Sequence, residues 1–253
     1  MKKMITMKIT RVDRNNDNTP ILTNKEIDEF AYAVLEDYDP GLLREPGAID
    51  YEHFMESYLG VEIIYKDIYY QENTPPIHAV TVFRGGTVKV FDRENGRVAA
   101  PIIRANTVII DNAVTNNAGM AMFTGLHESG HIFMHQDVFS VFRAGQVCCR
   151  KKNMGGAAES DAKKIRTAEE WREHQANHFA GAVAMPDATF GPFVAGALRE
   201  YGVYRRGIIL GDDADLDIVA SDLLPERISE VYGVSKQAAA VKLKKNGFVV
   251  APA

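Results

Sequence analysis

The residues best suited to chemistry form the pentad His127-Glu128-Ser129-Gly130-His131. On a helix, histidines four residues apart lie one turn above the other, so both can reach one ion. Glu128 is rotated about 100° from His127. It therefore flanks such an ion and can take a proton from water as a general base. Zinc accepts imidazole nitrogen at about 2.0–2.1 Å, and a catalytic zinc needs three protein ligands and an open position. The flanks Met122, Phe123, Leu126, Ile132, Phe133 and Met134 are apolar, which predicts a buried helix. Histidines buried four apart need polar partners, and a Zn2+ ion is a partner they can share.

The third ligand must come from a second helix packed alongside. Glu173, in Glu173-His174-Gln175-Ala176-Asn177, is the best candidate. It shares a face with Ala176, Ala180 and Ala184, with Gly181 beside them, and small side chains let two helices approach at the low end of about 8–10 Å. Glu169 and Glu170, one turn earlier, are the fallback ligands. A histidine ten positions after His127 is excluded as a ligand, because Asp137 stands there.

Other polar residues have narrower roles. Thr124 and Asn177 are candidates to brace the ligands by hydrogen bonds. His178 is a candidate to polarise a substrate carbonyl in the transition state. His135 continues the stripe of histidines, but each step of four drifts about 40°. It is expected to cap the helix C-terminus, where an imidazolium suits the dipole. The adjacent Cys148 and Cys149 are poorly placed for a disulfide with each other and read as thiols. One of them is a candidate to occupy the open zinc position and hold the site inactive.

These side chains must be positioned by elements legible in the pattern. Thr23-Asn24-Lys25-Glu26 has the form of a capping box, followed by Ile27, Phe30, Ala31, Val34 and Leu35 at helical spacing. A short helix is expected from Tyr51 to Leu59, stopped by Gly60. Val61 to Tyr65, Ala79 to Phe83, Thr87 to Phe91 and Thr107 to Ile110 read as strands, punctuated by Gly85-Gly86, Asn95-Gly96 and Pro101. They predict a small, twisted, mostly antiparallel sheet feeding a helix from about Asn117 to Asp137. Gly145 to Arg166 is weakly patterned and is expected to be a surface insertion. A second capping box at Thr167 and Glu170 opens the Glu173 helix, which Pro186 ends near Met185.

The chain divides into a flexible N-terminal segment at 1–22, a metal-binding domain at 23–190 and a C-terminal helical segment at 191–253. Around Gly233-Val234-Ser235 the last segment has helix-turn-helix character, with Lys236, Lys242, Lys244 and Lys245 nearby. A formal charge of −5 over 253 residues argues against a dedicated nucleic-acid or anionic-membrane binder. No apolar run reaches the length of a membrane span, and no apolar stretch follows the N-terminal lysines as in a secretory leader. With thiols expected to be reduced, the cytoplasm is the expected compartment.

Two blocks resemble one family. Phe123-Thr124-Gly125-Leu126-His127-Glu128-Ser129-Gly130-His131-Ile132-Phe133-Met134-His135 is similar to the signature helix of the ImmA/IrrE metallopeptidases. Trp171 to Pro186 (WREHQANHFAGAVAMP) looks like that family's second conserved helix. The resemblance implies an α+β fold of the zincin type, with N-terminal helices, a small sheet, the histidine helix packed on a third-ligand helix, and a C-terminal helical segment. It also implies His127, His131 and Glu173 as zinc ligands and Glu128 as general base. Several family members cleave a transcriptional repressor, so a helix-turn-helix repressor is the implied protein partner. The rival expectation is a non-hydrolytic, zinc-containing regulatory module that binds a repressor or DNA.

Overall fold

The computed structural model describes residues 5–13, 17–141, 146–150 and 167–251. The chain opens with a ribbon of β1 (Val12–Asp13) and β2 (Thr19–Pro20), paired antiparallel. Helix α1 (Asn24–Tyr38) starts at the expected box: the Glu26 amide donates to Thr23 Oγ1 at 3.2 Å, and the Thr23 amide donates to Glu26 Oε2 at 2.7 Å. Its apolar stripe is buried. A single turn, α2 (Tyr51–His53), runs into a π-helical turn at Phe54–Tyr58, and Gly60, at φ +67°, ends it.

The main sheet contains β3 (Glu62–Lys66) and β4 (Ile77–Val82). Short strands follow: β5 (Gly86–Thr87), β6 (Val90–Asp92), β7 (Arg97–Ala99) and β8 (Ile102–Ile103). β9 (Thr107–Asp111) and, after the next helix, β10 (Gln146–Arg150) return to the main sheet. Its order is β10-β4-β9-β3, antiparallel at β10/β4 and β4/β9 and parallel at β9/β3. The expected strand from Thr87 to Phe91 is split instead. Thr87 pairs with Ile102 in one ribbon, and Phe91 pairs with Val98 in a second hairpin closed by Gly96 at φ +60°. The backbone changes partner along this stretch: the Val88 amide donates to the Pro101 carbonyl, whereas the Lys89 carbonyl accepts from the Tyr69 amide.

The two faces of the sheet alternate with period two. Val80, Val82 and Ile109 face a small outer cluster with Ile68, Ile77, Val88, Val90 and Ile103. Ala79, Val108 and Ile110 face the main core, which they share with Leu126 and Met134. Thr81, alternating with Val80 and Val82, is on this inner face.

Helix α3 (Ala118–Val141) crosses the inner face, four residues beyond the expected end at Asp137. Helix α4 (Ala168–Ala184) opens at its Thr167–Glu170 box and stops before Pro186. The two approach closely at Gly130: a Cβ there would lie 3.1 Å from Ala176 Cα. Ala176, Ala180 and Ala184 are buried as expected, but Gly181 is not part of the contact, since a Cβ on it would meet nothing within 4 Å.

The remaining helices are α5 (Asp187–Glu200), α6 (Ala214–Ile218), α7 (Leu224–Tyr232) and α8 (Lys236–Lys245), with β11 (Ile208–Ile209) parallel to β12 (Val249–Val250). α6 continues through a π-helical turn at Val219–Leu223 into α7. Leu224, Ile228, Tyr232, Leu243 and Val249 belong to the same core as Ile27, Phe54 and Leu126, so the C-terminal helices share the core of the rest. No described helix is long and apolar enough to cross a membrane.

Three features bear on the expected organisation. The opening segment is anchored at its end: Thr19 and Leu22 are buried, and the Arg172 guanidinium donates to Thr19 Oγ1 at 2.7 Å. Part of the expected surface insertion is the edge strand β10, whose backbone satisfies the open side of β4. Residues 151–166, and the side chains of Cys148 and Cys149, lie outside the described residues, so the proposed thiol block falls there too. Finally, α7 and α8 meet at Gly233 in the left-handed conformation, which turns one helix into the next, but their basic charge is engaged elsewhere. Lys236 pairs with Asp222 and Glu226, Lys242 with Asp187, and Lys245 contacts His178. Lys244 is exposed, and one lysine does not make a basic face.

Candidate metal centre

α3 stacks the His127 and His131 rings edge to face, with centroids 4.8 Å apart and the Nε2 atoms 3.1 Å apart. Two nitrogen lone pairs tolerate that separation only around a shared proton or cation. From α4, Glu173 places Oε2 3.3 Å from His127 Nε2 and Oε1 3.3 Å from His131 Nε2. A tetrahedral zinc with bonds of about 2.0–2.1 Å sets its ligand atoms roughly 3.3 Å apart, so the three side chains have the spacing of ligands around one ion. They form a group of possible metal ligands whose donor atoms lie within 4.8 Å of one another. The fallback ligands are elsewhere: Glu170 is committed to the helix cap and Glu169 is exposed.

Burial makes the cluster demanding. His127, Glu128 and His131 have no solvent exposure and Glu173 has 6%. Among the described residues, Glu173 Oε2 and Glu128 Oε1 are buried without a hydrogen-bond partner. Such oxygens cost free energy unless something supplies positive charge or a proton. Desolvation pushes Glu128 up from the ordinary glutamate range, against the opposing pull of His127 and His131. Burial pushes Glu173 the same way, but the adjoining His131 and His127 rings outweigh it and hold the carboxyl well below the usual range. This carboxylate is built to stay ionised against a cation.

The IrrE N-terminal-like domain of the Peptidase M78 family matches residues 86–244, a stretch that holds both histidines, Glu128 and Glu173. The chain belongs to the ImmA/IrrE family, Peptidase M78. M78 peptidases are typically metal-dependent, in keeping with the donor set. No curated protein gives a significant match. Among solved structures, a Mycobacterium tuberculosis transcriptional regulator is similar at 14% identity with a TM-score of 0.43, over 90% of this chain and 47% of that one. The chain thus spans about half the length of that protein.

Around the centre of this M78 chain, Thr81 donates its hydroxyl to Glu128 Oε2, leaving Oε1 as the oxygen without a partner. Thr81 also lines a cavity of about 200 Å3 with Leu59, Val61, Phe83, Asn106, Ile132 and Gln136 among its walls. Sequence reasoning passed over Thr81; the available signal was one hydroxyl in an otherwise apolar strand, Ala79 to Val82.

The outer nitrogens of both histidines are engaged. His127 Nδ1 lies 2.9 Å from Asn177 Oδ1, so Asn177 is placed to brace that ring. His131 Nδ1 lies 3.0 Å from His135 Nδ1, and His135 Nε2 lies 2.8 Å from Gln175 Oε1. His135 is therefore no helix cap. α3 continues past it to Val141, the ring is fully buried, and that burial above all pushes it well below the ordinary histidine value. Thr124 is fully buried one turn before Glu128. His178 is turned to other partners: its ring bonds Asp28 Oδ1 at 2.8 Å and Lys245 Nζ at 2.8 Å, between α1 and α8. Five residues after Glu173, it is rotated about 140° from it around the helix, which is the wrong side to reach a substrate at the centre.

Proposed function

We propose that this chain is a zinc-dependent endopeptidase with a zincin-type centre. The observation that carries the reading is the convergence of two Nε2 atoms and one carboxylate at zinc-ligand spacing, with the unpartnered Glu128 Oε1 beside them. His127, His131 and Glu173 hold the ion and leave a coordination position open. When bound, zinc supplies a Lewis acid that polarises a carbonyl and acidifies water. Glu128, fixed by Thr81, takes a proton from the attacking water at Oε1 and delivers it to the leaving amide nitrogen. The closed setting excludes bulk water, which strengthens each of these charge interactions.

The same closure means that a protein substrate must open a path, and the cavity beside Thr81 offers one approach to Glu128. From the family resemblance alone, the substrate is a protein, with a helix-turn-helix repressor as the leading class. The alternative, a non-hydrolytic zinc-containing module that binds a repressor or DNA, draws support from the full burial of Glu128. The engaged lysines of α8 weigh against its DNA-binding form.

One comparison separates these readings. Elemental analysis should find near one zinc per chain in wild type and Glu128→Gln, and little in His127→Ala. Cleavage of a protein substrate should fall about 10²–10⁴-fold in Glu128→Gln, the range expected for loss of a general base. Zinc retained with no cleavage by wild type of any protein, including candidate repressors, would leave the non-hydrolytic reading. A wild type that takes up no zinc would remove both.

A further inference from the structure

We propose that His135 is a positioning residue for His131, acting through a hydrogen-bond relay that ends on the Pro20 carbonyl of the N-terminal ribbon. The proposal rests on the metal-centre reading in one respect, that His131 presents Nε2 to an ion.

A neutral imidazole that offers Nε2 as a ligand carries its hydrogen on Nδ1. The atom facing His131 Nδ1 is His135 Nδ1, at 3.0 Å. That nitrogen must therefore accept, which leaves the His135 hydrogen on Nε2. His135 Nε2 points at Gln175 Oε1, 2.8 Å away, and a carbonyl oxygen can only accept. The orientation of the Gln175 amide is fixed in turn, because its nitrogen donates to the Pro20 carbonyl at 2.7 Å. Flipping the amide would set two carbonyl oxygens against each other. Every member then has a partner of the right kind, and the relay reads in only one direction.

The consequence is a symmetry of function between unlike groups. His127 is braced by an amide oxygen one helix away, and His131 by another imidazole one turn along its own helix. Outer partners of metal-bound histidines fix the ring and its tautomer, and their loss typically weakens metal binding about 10–100-fold. The relay also ties the metal ligand to Thr19–Pro20, a stretch outside the residues that match the family domain.

The test uses the full chain and two readouts besides activity. Zinc affinity, measured by competition with a chromophoric chelator, should weaken about 10–100-fold in His135→Leu and in Gln175→Leu. It should return to within about threefold of wild type in His135→Gln, whose side-chain carbonyl can accept the His131 hydrogen. Thermal melts of the chelator-treated variants confirm that each is folded. Separately, long-range nitrogen-15 NMR of the imidazoles should place the His135 hydrogen on Nε2. A folded His135→Leu that binds zinc as tightly as wild type, or His135 carrying its hydrogen on Nδ1, overturns the relay. If wild type binds no zinc, the peptidase reading fails, while the His135 tautomer still decides the relay. If His135→Leu does not fold, the Gln variant and the tautomer decide it.

Discussion

α3 and α4 meet through buried polar side chains, whereas α7 and α8 bury Ile228, Tyr232, Ala239 and Leu243 and, apart from the buried Lys242, keep their charges nearer the surface. Two glycines of α3 mark close approaches, one to α4 and one to the turn between α7 and α8. At Gly130 an added Cβ would lie 3.1 Å from Ala176 Cα; at Gly119 it would lie 2.9 Å from the Ser235 nitrogen and the Val234 carbonyl carbon. Similar backbone approach thus serves two ends. In one place it brings a carboxylate to two histidines, and in the other it docks a turn. Where the contact is apolar, a shift of a few tenths of an ångström costs packing only. Where it is polar, the same shift also alters the geometry in which a metal would be held.

The sharpest way to break that contrast is to fill each glycine. Gly119→Ala and Gly130→Ala should each lower stability by about 1–3 kcal/mol, the usual range for overpacking, with Gly119→Ala the worse because its new Cβ would meet backbone at 2.9 Å rather than 3.1 Å. Melts should be run with chelator, since a bound metal would itself raise Tm. Only Gly130→Ala should also weaken zinc binding. Equal losses of zinc affinity in both variants would show that the contrast between the two contacts is not real.

A smaller effect is expected from Asn177→Ala, which removes the brace on His127 but leaves the core shape nearly intact. Zinc affinity should fall about tenfold, the low end for such partners, with little change in the chelator-treated Tm. Its counterpart at the other pair, Lys236→Ala, breaks the contacts with Asp222 and Glu226 at the surface and should change neither quantity.

The smallest effect concerns pH. Burial tends to raise the Asp187 carboxyl, but the Lys242 charge and the hydrogen bonds from Lys242 and Asn246 outweigh it and lower its pKa. The folded value lies below the unfolded one, so the contribution is present above the ordinary aspartate value of about 3.9 and is lost as pH falls through the folded value. The Asp187 side chain is 61% exposed, so solvent screens the pair and less than about 1 kcal/mol is at stake. Denaturant titrations of wild type and Asp187→Asn should therefore differ slightly at pH 6 and converge in strong acid. A gap that widened on acidification would reverse the sign argued here.

Much of this was legible along the chain. Helix positions follow from local rules: two capping boxes start α1 and α4, Pro186 stops α4, and Gly60 stops the turn before the sheet. The His127–His131 pair is legible because a helix makes i and i+4 neighbours, and Glu173 could be picked out by the small residues along its face. Strand β10 was missed because its sequence carries no alternation; only the open side of β4 gives it a place. Composition and local patterning do not register that Thr19 and Leu243 end up buried.

What the sequence alone determined is the inventory of the centre: two imidazoles one turn apart, a carboxylate between them in sequence, and another on a helix with a small-residue face. Tertiary structure decided how those groups are held. Thr81 reaches Glu128 across 47 residues, His135 reaches Gln175 across 40, and Gln175 reaches Pro20 across 155. Such pairings have no period and no local signature. They arise because a buried polar group must find whichever donor or acceptor the folded core brings within reach.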